Sequence, residues 1–67
     1  SKYVKKKVNY KGTYLYTKPC GNKYKVKFLS YNTRVQLVST INKGKKKGYS
    51  YVCYKNKYYY VKTNTLY

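Results

Sequence analysis

The chain has no Asp, no Glu and no His. With no carboxylate and no imidazole, it has no ordinary general base or acid, and no side-chain oxygen ligand for Mg²⁺ or Ca²⁺. A lone Lys or Cys nucleophile would have no orienting partner. Catalysis is therefore not expected, and neither is a metal or other cofactor. Side-chain salt bridges are excluded as well, because only the terminal carboxylate is negative. Met, Trp and Ala are absent, and no stretch combines a 3.6-residue apolar period with helix caps. No run of 18 apolar residues exists, so no membrane-spanning helix is expected. Gly and Pro are scarce, with four and one respectively, and they fall between strand-like segments.

What remains is cationic and aromatic. Lys and Arg together number 17, giving a formal net charge of +17, and only Arg34 is not Lys. Such a chain repels itself when compact, so stability should rise with added salt. The one-sided charge points to a polyanionic partner: envelope polymer, anionic lipid, nucleic acid or sulfated glycan. The excess of Lys over Arg favours diffuse attraction over bidentate reading. Hydrophobic residues make up 42% of the chain and aromatics 21%, with 13 Tyr. That is enough apolar content for a folded domain instead of a basic tail. Sixty-seven residues make one small domain, in which residues 1–12 are a basic N-terminal extension or edge strand.

The densest part is the Tyr49–Val61 segment, aromatic and β-branched, interrupted only by Lys55-Asn56-Lys57. It reads as a β-hairpin with a short loop. Earlier strand signals lie in Tyr3–Tyr10, Thr13–Thr17, Tyr24–Leu29 and Arg34–Ile41. Alternation places Tyr24, Val26 and Phe28 on one face, and Val35, Leu37, Ser39 and Ile41 on another. Turns are expected at Pro19–Asn22, Tyr31–Thr33 and Thr63–Thr65, and a polar loop at Asn42–Gly48. Short strands with frequent turns imply an all-β barrel or sandwich.

Cys20 and Cys53 lack the partners for a metal site. In a small extracellular chain they would form a disulfide, stabilising by roughly 4 kcal/mol through loop closure. The alternative is two buried free thiols. No signal peptide is visible, and the chain opens at Ser1-Lys2-Tyr3 without Met, as a processed, secreted protein would.

The order of segments resembles the bacterial SH3-like domain over about residues 13–67. Leu15-Tyr16-Thr17-Lys18-Pro19 is similar to that family's first strand and its residue-Pro step. Lys25–Leu29, the Tyr31–Thr33 turn and Val35–Val38 are similar to its next two strands. Tyr49–Cys53, Lys55-Asn56-Lys57, Tyr59-Tyr60-Val61 and Leu66 stand where the last strands and closing Leu would. Tyr49 or Tyr51 replaces the usual Trp, Lys57 replaces the turn glycine, and Tyr59 replaces the glycine before Tyr-Val. The resemblance implies a small SH3-like barrel of about five to six short antiparallel strands, and binding of bacterial cell-wall peptide or glycan.

Two basic clusters are candidate contacts for an anionic surface: Lys5, Lys6 and Lys7, and Lys43 with Lys45, Lys46 and Lys47. Each Lys near anionic lipid contributes about 1 kcal/mol. The plainer reading is a solvated face, with edge-strand lysines that block aggregation. Tyr14, Tyr16, Tyr58 and Tyr67 are candidates for an exposed groove that stacks on sugars or bases, although packing explains most single tyrosines. The leading expectation is a secreted cationic antimicrobial, bacteriocin-like, bound to anionic bacterial envelopes. The alternatives are a non-killing peptidoglycan-binding module and a nucleic-acid or generic polyanion binder.

Overall fold

The computed structural model describes residues 4–9 and 11–67. Tyr3 and Tyr10, the ends of the first expected segment, lie outside them. Six strands form one antiparallel sheet: β1 (Val4–Lys7), β2 (Thr13–Tyr16), β3 (Lys25–Leu29), β4 (Arg34–Thr40), β5 (Tyr49–Tyr54) and β6 (Lys57–Lys62). Their spatial order is β1-β4-β5-β6-β2-β3. Two single 3-10 turns, Asn22–Tyr24 and Thr63–Thr65, complete the structure, with no α-helix among the described residues.

The β5–β6 hairpin is the central pair and has unbroken register from Tyr49↔Lys62 to Tyr54↔Lys57. Its loop is only two residues long. Lys55 and Asn56 both take positive φ, 50° and 67°, which matches the tight turn whose twist suits a hairpin. Lys57 belongs to β6. Directly opposite residues share a face. Ser50, Val52, Tyr59 and Val61 therefore point one way, while Tyr51, Cys53, Tyr58 and Tyr60 point the other.

The inner side carries the core. Val8, Leu15, Leu29, Val35, Val52 and Val61 form one buried cluster, with Leu37, Tyr54, Tyr59 and Leu66 packed on it. Each fully buried aliphatic side chain contributes about 1.5–3 kcal/mol. The polar groups that are buried have partners. Ser50 Oγ lies 2.7 Å from Thr63 Oγ1 and 3.3 Å from Thr40 Oγ1, and Thr65 Oγ1 donates to Thr13 Oγ1 at 2.7 Å. Gly12 is required where it stands. Its φ is +76°, and a Cβ there would collide with the Phe28 ring and sit 2.9 Å from the Leu29 carbonyl oxygen.

The expected barrel does not close. The edge strands β1 and β3 do not pair, and the sheet stays open. Val8 N–H donates to Thr33 O and Asn32 N–H to Val8 O, both at 3.0 Å, which extends the β1–β4 pairing into the turn before β4. On β1's free side, Lys7 and Tyr67 exchange bonds at 3.0 and 2.9 Å, and Asn9 N–H donates to Thr65 O at 2.8 Å. Coiling of the sheet lets Val8, beside one edge, and Leu29, on the other, share one core.

The expected disulfide is also absent: Cys20 and Cys53 are free and lie apart. Cys20 sits in the exposed bend after Pro19 with φ 67°, and its thiol donates to the Lys45 carbonyl at 3.2 Å. Cys53 lies within β5 on the outer side, between Gln36 and Tyr58. One sulfur thus ties two loops together while the other belongs to a strand ladder.

Val26 and Phe28 are 53% and 50% exposed, and the residue that β3 buries is Leu29. One face assignment shifts. In β4 an irregularity between Leu37 and Ser39 turns Ser39 toward Tyr51 and Thr40 toward Ser50. Val35 and Leu37 keep the inner side; Ser39 leaves it.

Candidate polyanion-binding surface

Among the described lysines only Lys6 is half-buried, and all the others are exposed, as is Arg34. Seventeen charges on 4949 Å² sit roughly 17 Å apart on average, about two Debye lengths at physiological salt. The shell is thus tolerable in salt and strongly self-repelling without it. Tyrosine rings take part of the role that acids lack. Lys25 Nζ sits 4.2 Å from the Tyr14 ring centre, Lys23 and Lys18 at 5.3 and 5.8 Å from Tyr24, and Lys55 at 5.4 Å from Tyr54. Exposed contacts of this kind give about 0.5–1 kcal/mol each.

The two basic clusters have different settings. Lys5, Lys6 and Lys7 lie on β1, opposite Gln36, Val35 and Arg34 of β4. Alternation therefore sends Lys5 and Lys7 to the outer face with Gln36 and Arg34. Lys43, Lys45, Lys46 and Lys47 project from the β4–β5 loop. Gly44 and Gly48 there have open space around them and φ of +81° and +94°. The loop is held at its base by Gly48 N–H to Ile41 O at 3.2 Å and Thr63 N–H to Gly48 O at 2.8 Å, and at its middle by the Cys20–Lys45 contact.

The tyrosine candidates also separate. Tyr16 is 3% exposed and packs edge-on against Tyr49 at 5.7 Å, so its ring is not presented to a ligand. Tyr14 is exposed, edge-on to Phe28 at 5.1 Å. Tyr58, 48% exposed, stacks on Tyr51 at 5.4 Å and 19°, and Tyr51 meets Tyr60 at 5.0 Å. Tyr67 lies at the far edge, its hydroxyl donating to Asn32 Oδ1 at 3.2 Å. The nearby Tyr31 hydroxyl, with some desolvation, holds the Tyr67 phenol above its ordinary 10.0.

A concavity lies elsewhere. A cleft of about 320 Å³ is bordered by Lys5, Arg34, Gln36, Cys53, Lys55 and Asn56, with Val35 and Tyr54 completing its wall. Of these only Lys5 was a candidate binding residue from the sequence, and Cys53 a candidate only for the disulfide. The available signals were the single Arg and the positive-φ demand of a two-residue turn; their meeting depends on the β4–β5 pairing, and Lys5 joins them through β1–β4.

Neither a family model, nor a curated protein, nor a solved structure matches this chain. No helix of the described residues is long and apolar enough to cross a membrane.

Proposed function

We propose that this protein is a secreted cationic antimicrobial of bacteriocin type that accumulates on anionic bacterial envelopes. One observation carries the reading: an exposed lysine shell, on a folded all-β scaffold, in a chain without a single acidic side chain. Such a shell attracts teichoic-type polymers, anionic lipid or other polyanions over a range set by ionic strength. The Lys43–Lys47 loop carries four exposed lysines of that shell, and each lysine adds about 1 kcal/mol near an anionic lipid surface.

The test is a killing assay on bacteria across a salt series, run beside co-sedimentation with whole cells, isolated wall and anionic vesicles. Killing that weakens as salt rises is expected. Absence of killing at the lowest salt removes the antimicrobial reading.

A second reading, a non-killing peptidoglycan-binding module, is favoured by exposed Tyr58, stacked on half-buried Tyr51, and by the exposed Tyr14–Phe28 pair, which offer rigid aromatic surfaces to sugars. It requires sedimentation with purified peptidoglycan that survives moderate salt. Equal binding to heparin and DNA with a steep salt slope would instead mark generic polyanion attraction, the nucleic-acid alternative included.

A further inference from the structure

Three cations converge on the cleft from three separate elements: Lys5 from β1, Arg34 from β4 and Lys55 from the β5–β6 turn. The convergence follows from the ladder. Lys5 pairs with Gln36, Gln36 with Cys53, and Lys7 with Arg34 in the neighbouring position. Clustering like charges opposes folding, and the chain has no acid to offset it. A bound anion would reverse the sign of that energy.

The donor set points to the anion's class. The chain's only arginine stands here among sixteen lysines, and a guanidinium offers a planar fork that binds two oxygens of one anion. Lys5 and Lys55 add point charges from other directions, and the side-chain amides of Gln36 and Asn56 add neutral donors. Donors arriving from several sides suit a tetrahedral oxyanion with three free oxygens better than a flat carboxylate with two. A volume of about 320 Å³ is at the lower end of small-molecule sites, and exceeds what a bare ion fills. Tyr54, with Lys55 over its ring, supplies a wall for a carbon skeleton.

We propose that this cleft is a subsite for a phosphate ester carried on a small polyol or sugar. The proposal rests on the polyanion reading above and deepens it. The shell concentrates the protein on a polyanion, and the cleft engages one phosphate group of it. The phosphate group is the shared chemistry of a lipid headgroup, a polymer repeat and a free ester.

The test uses backbone amide NMR on the intact chain. Glycerol 1-phosphate is titrated at fixed ionic strength, with sodium acetate as the carboxylate control. The expected result is saturable shifts at Gln36, Cys53 and Asn56, absent with acetate. Arg34→Lys keeps the charge and loses the fork, and should weaken binding about tenfold. Lys27→Gln removes one positive charge on β3, outside the cleft, and should leave it unchanged. The spectra themselves report whether each variant is folded. Equal affinity in Arg34→Lys, equal response to acetate, or unsaturable shifts spread over the lysine loop would overturn the proposal. Vesicles of phosphatidylglycerol, with phosphatidylcholine as control, separate headgroup from free ester. Cleft shifts with glycerol phosphate but no binding to anionic vesicles or wall would sink the envelope reading and keep the cleft. Vesicle or wall binding without cleft shifts would do the opposite.

Discussion

The lysine loop and the cleft are both cationic, and they are built in opposite ways. Lys43, Lys45, Lys46 and Lys47 stand on a glycine-bounded loop, held at its base and by one thiol contact to the Lys45 carbonyl. Lys5, Arg34 and Lys55 stand on paired strands and a two-residue turn whose register sets where each one faces. The loop offers charge without shape, and its energetics should follow ionic strength alone. The cleft offers charge with shape, and should discriminate among anions of equal charge. A chain with no acids can thus hold two kinds of basic site, and the difference lies in the backbone that carries them.

The largest expected effect comes from stripping the loop. Replacing Lys43, Lys45, Lys46 and Lys47 together with Gln should weaken binding to anionic vesicles by up to about 4 kcal/mol at low salt, from about 1 kcal/mol per lysine. Most of that loss should vanish at high salt. A loss of the same size from Arg34→Gln alone would break the contrast between the two sites.

Next is the anchor under the loop. Ser50 Oγ meets Thr63 Oγ1 and Thr40 Oγ1, beside the bond from Thr63 N–H to Gly48 O. Ser50→Ala leaves the half-buried Thr40 and Thr63 hydroxyls short of a partner and should lower stability by about 1 kcal/mol in denaturant melts. Hydrogen exchange at Thr63 should quicken more than at Tyr58. Uniform acceleration would show that loop and hairpin open as one unit.

The cysteines test the same division. Cys20 belongs to the loop side and Cys53 to the cleft side, and they are not joined. Reductant should leave the melting temperature unchanged, and iodoacetamide should label exposed Cys20 faster than half-buried Cys53. A fall matching the roughly 4 kcal/mol of a closed loop would restore the bridge.

The smallest effect lies away from both sites. The Tyr67 phenol is held above 10.0 by the Tyr31 hydroxyl beside it. Its ionised form is the one disfavoured in the fold, so this contact contributes below that pH. The contribution declines as pH rises beyond 10.0. Ultraviolet titration of Tyr67→Phe against the parent chain should remove a late-ionising component; an identical curve would contradict the assignment.

Strand positions were largely legible because Tyr, Val and Thr runs between turn residues carry their signal locally. The Tyr49–Val61 hairpin, the Asn42–Gly48 loop and the Thr63–Thr65 turn needed no distant partner to be read. Facing was less legible. Val26 and Phe28 alternate like core residues, yet the strand that holds them is an edge and buries only Leu29. The irregularity before Ser39 reverses a face that strict alternation extends to Ile41. Tyr16 looks like a groove residue in sequence and is packed beneath Tyr49, because the pairing of β2 with β6 places it there.

The sequence by itself determined the charge and the strand-rich character, since a chain without acids is cationic in any conformation and a β-former bias acts residue by residue. Whether the sheet closed, whether the two sulfurs met, and which cations gathered around the cleft were decided only by tertiary structure. Those outcomes depend on register between segments distant in sequence, where a shift of one residue turns every side chain to the opposite face.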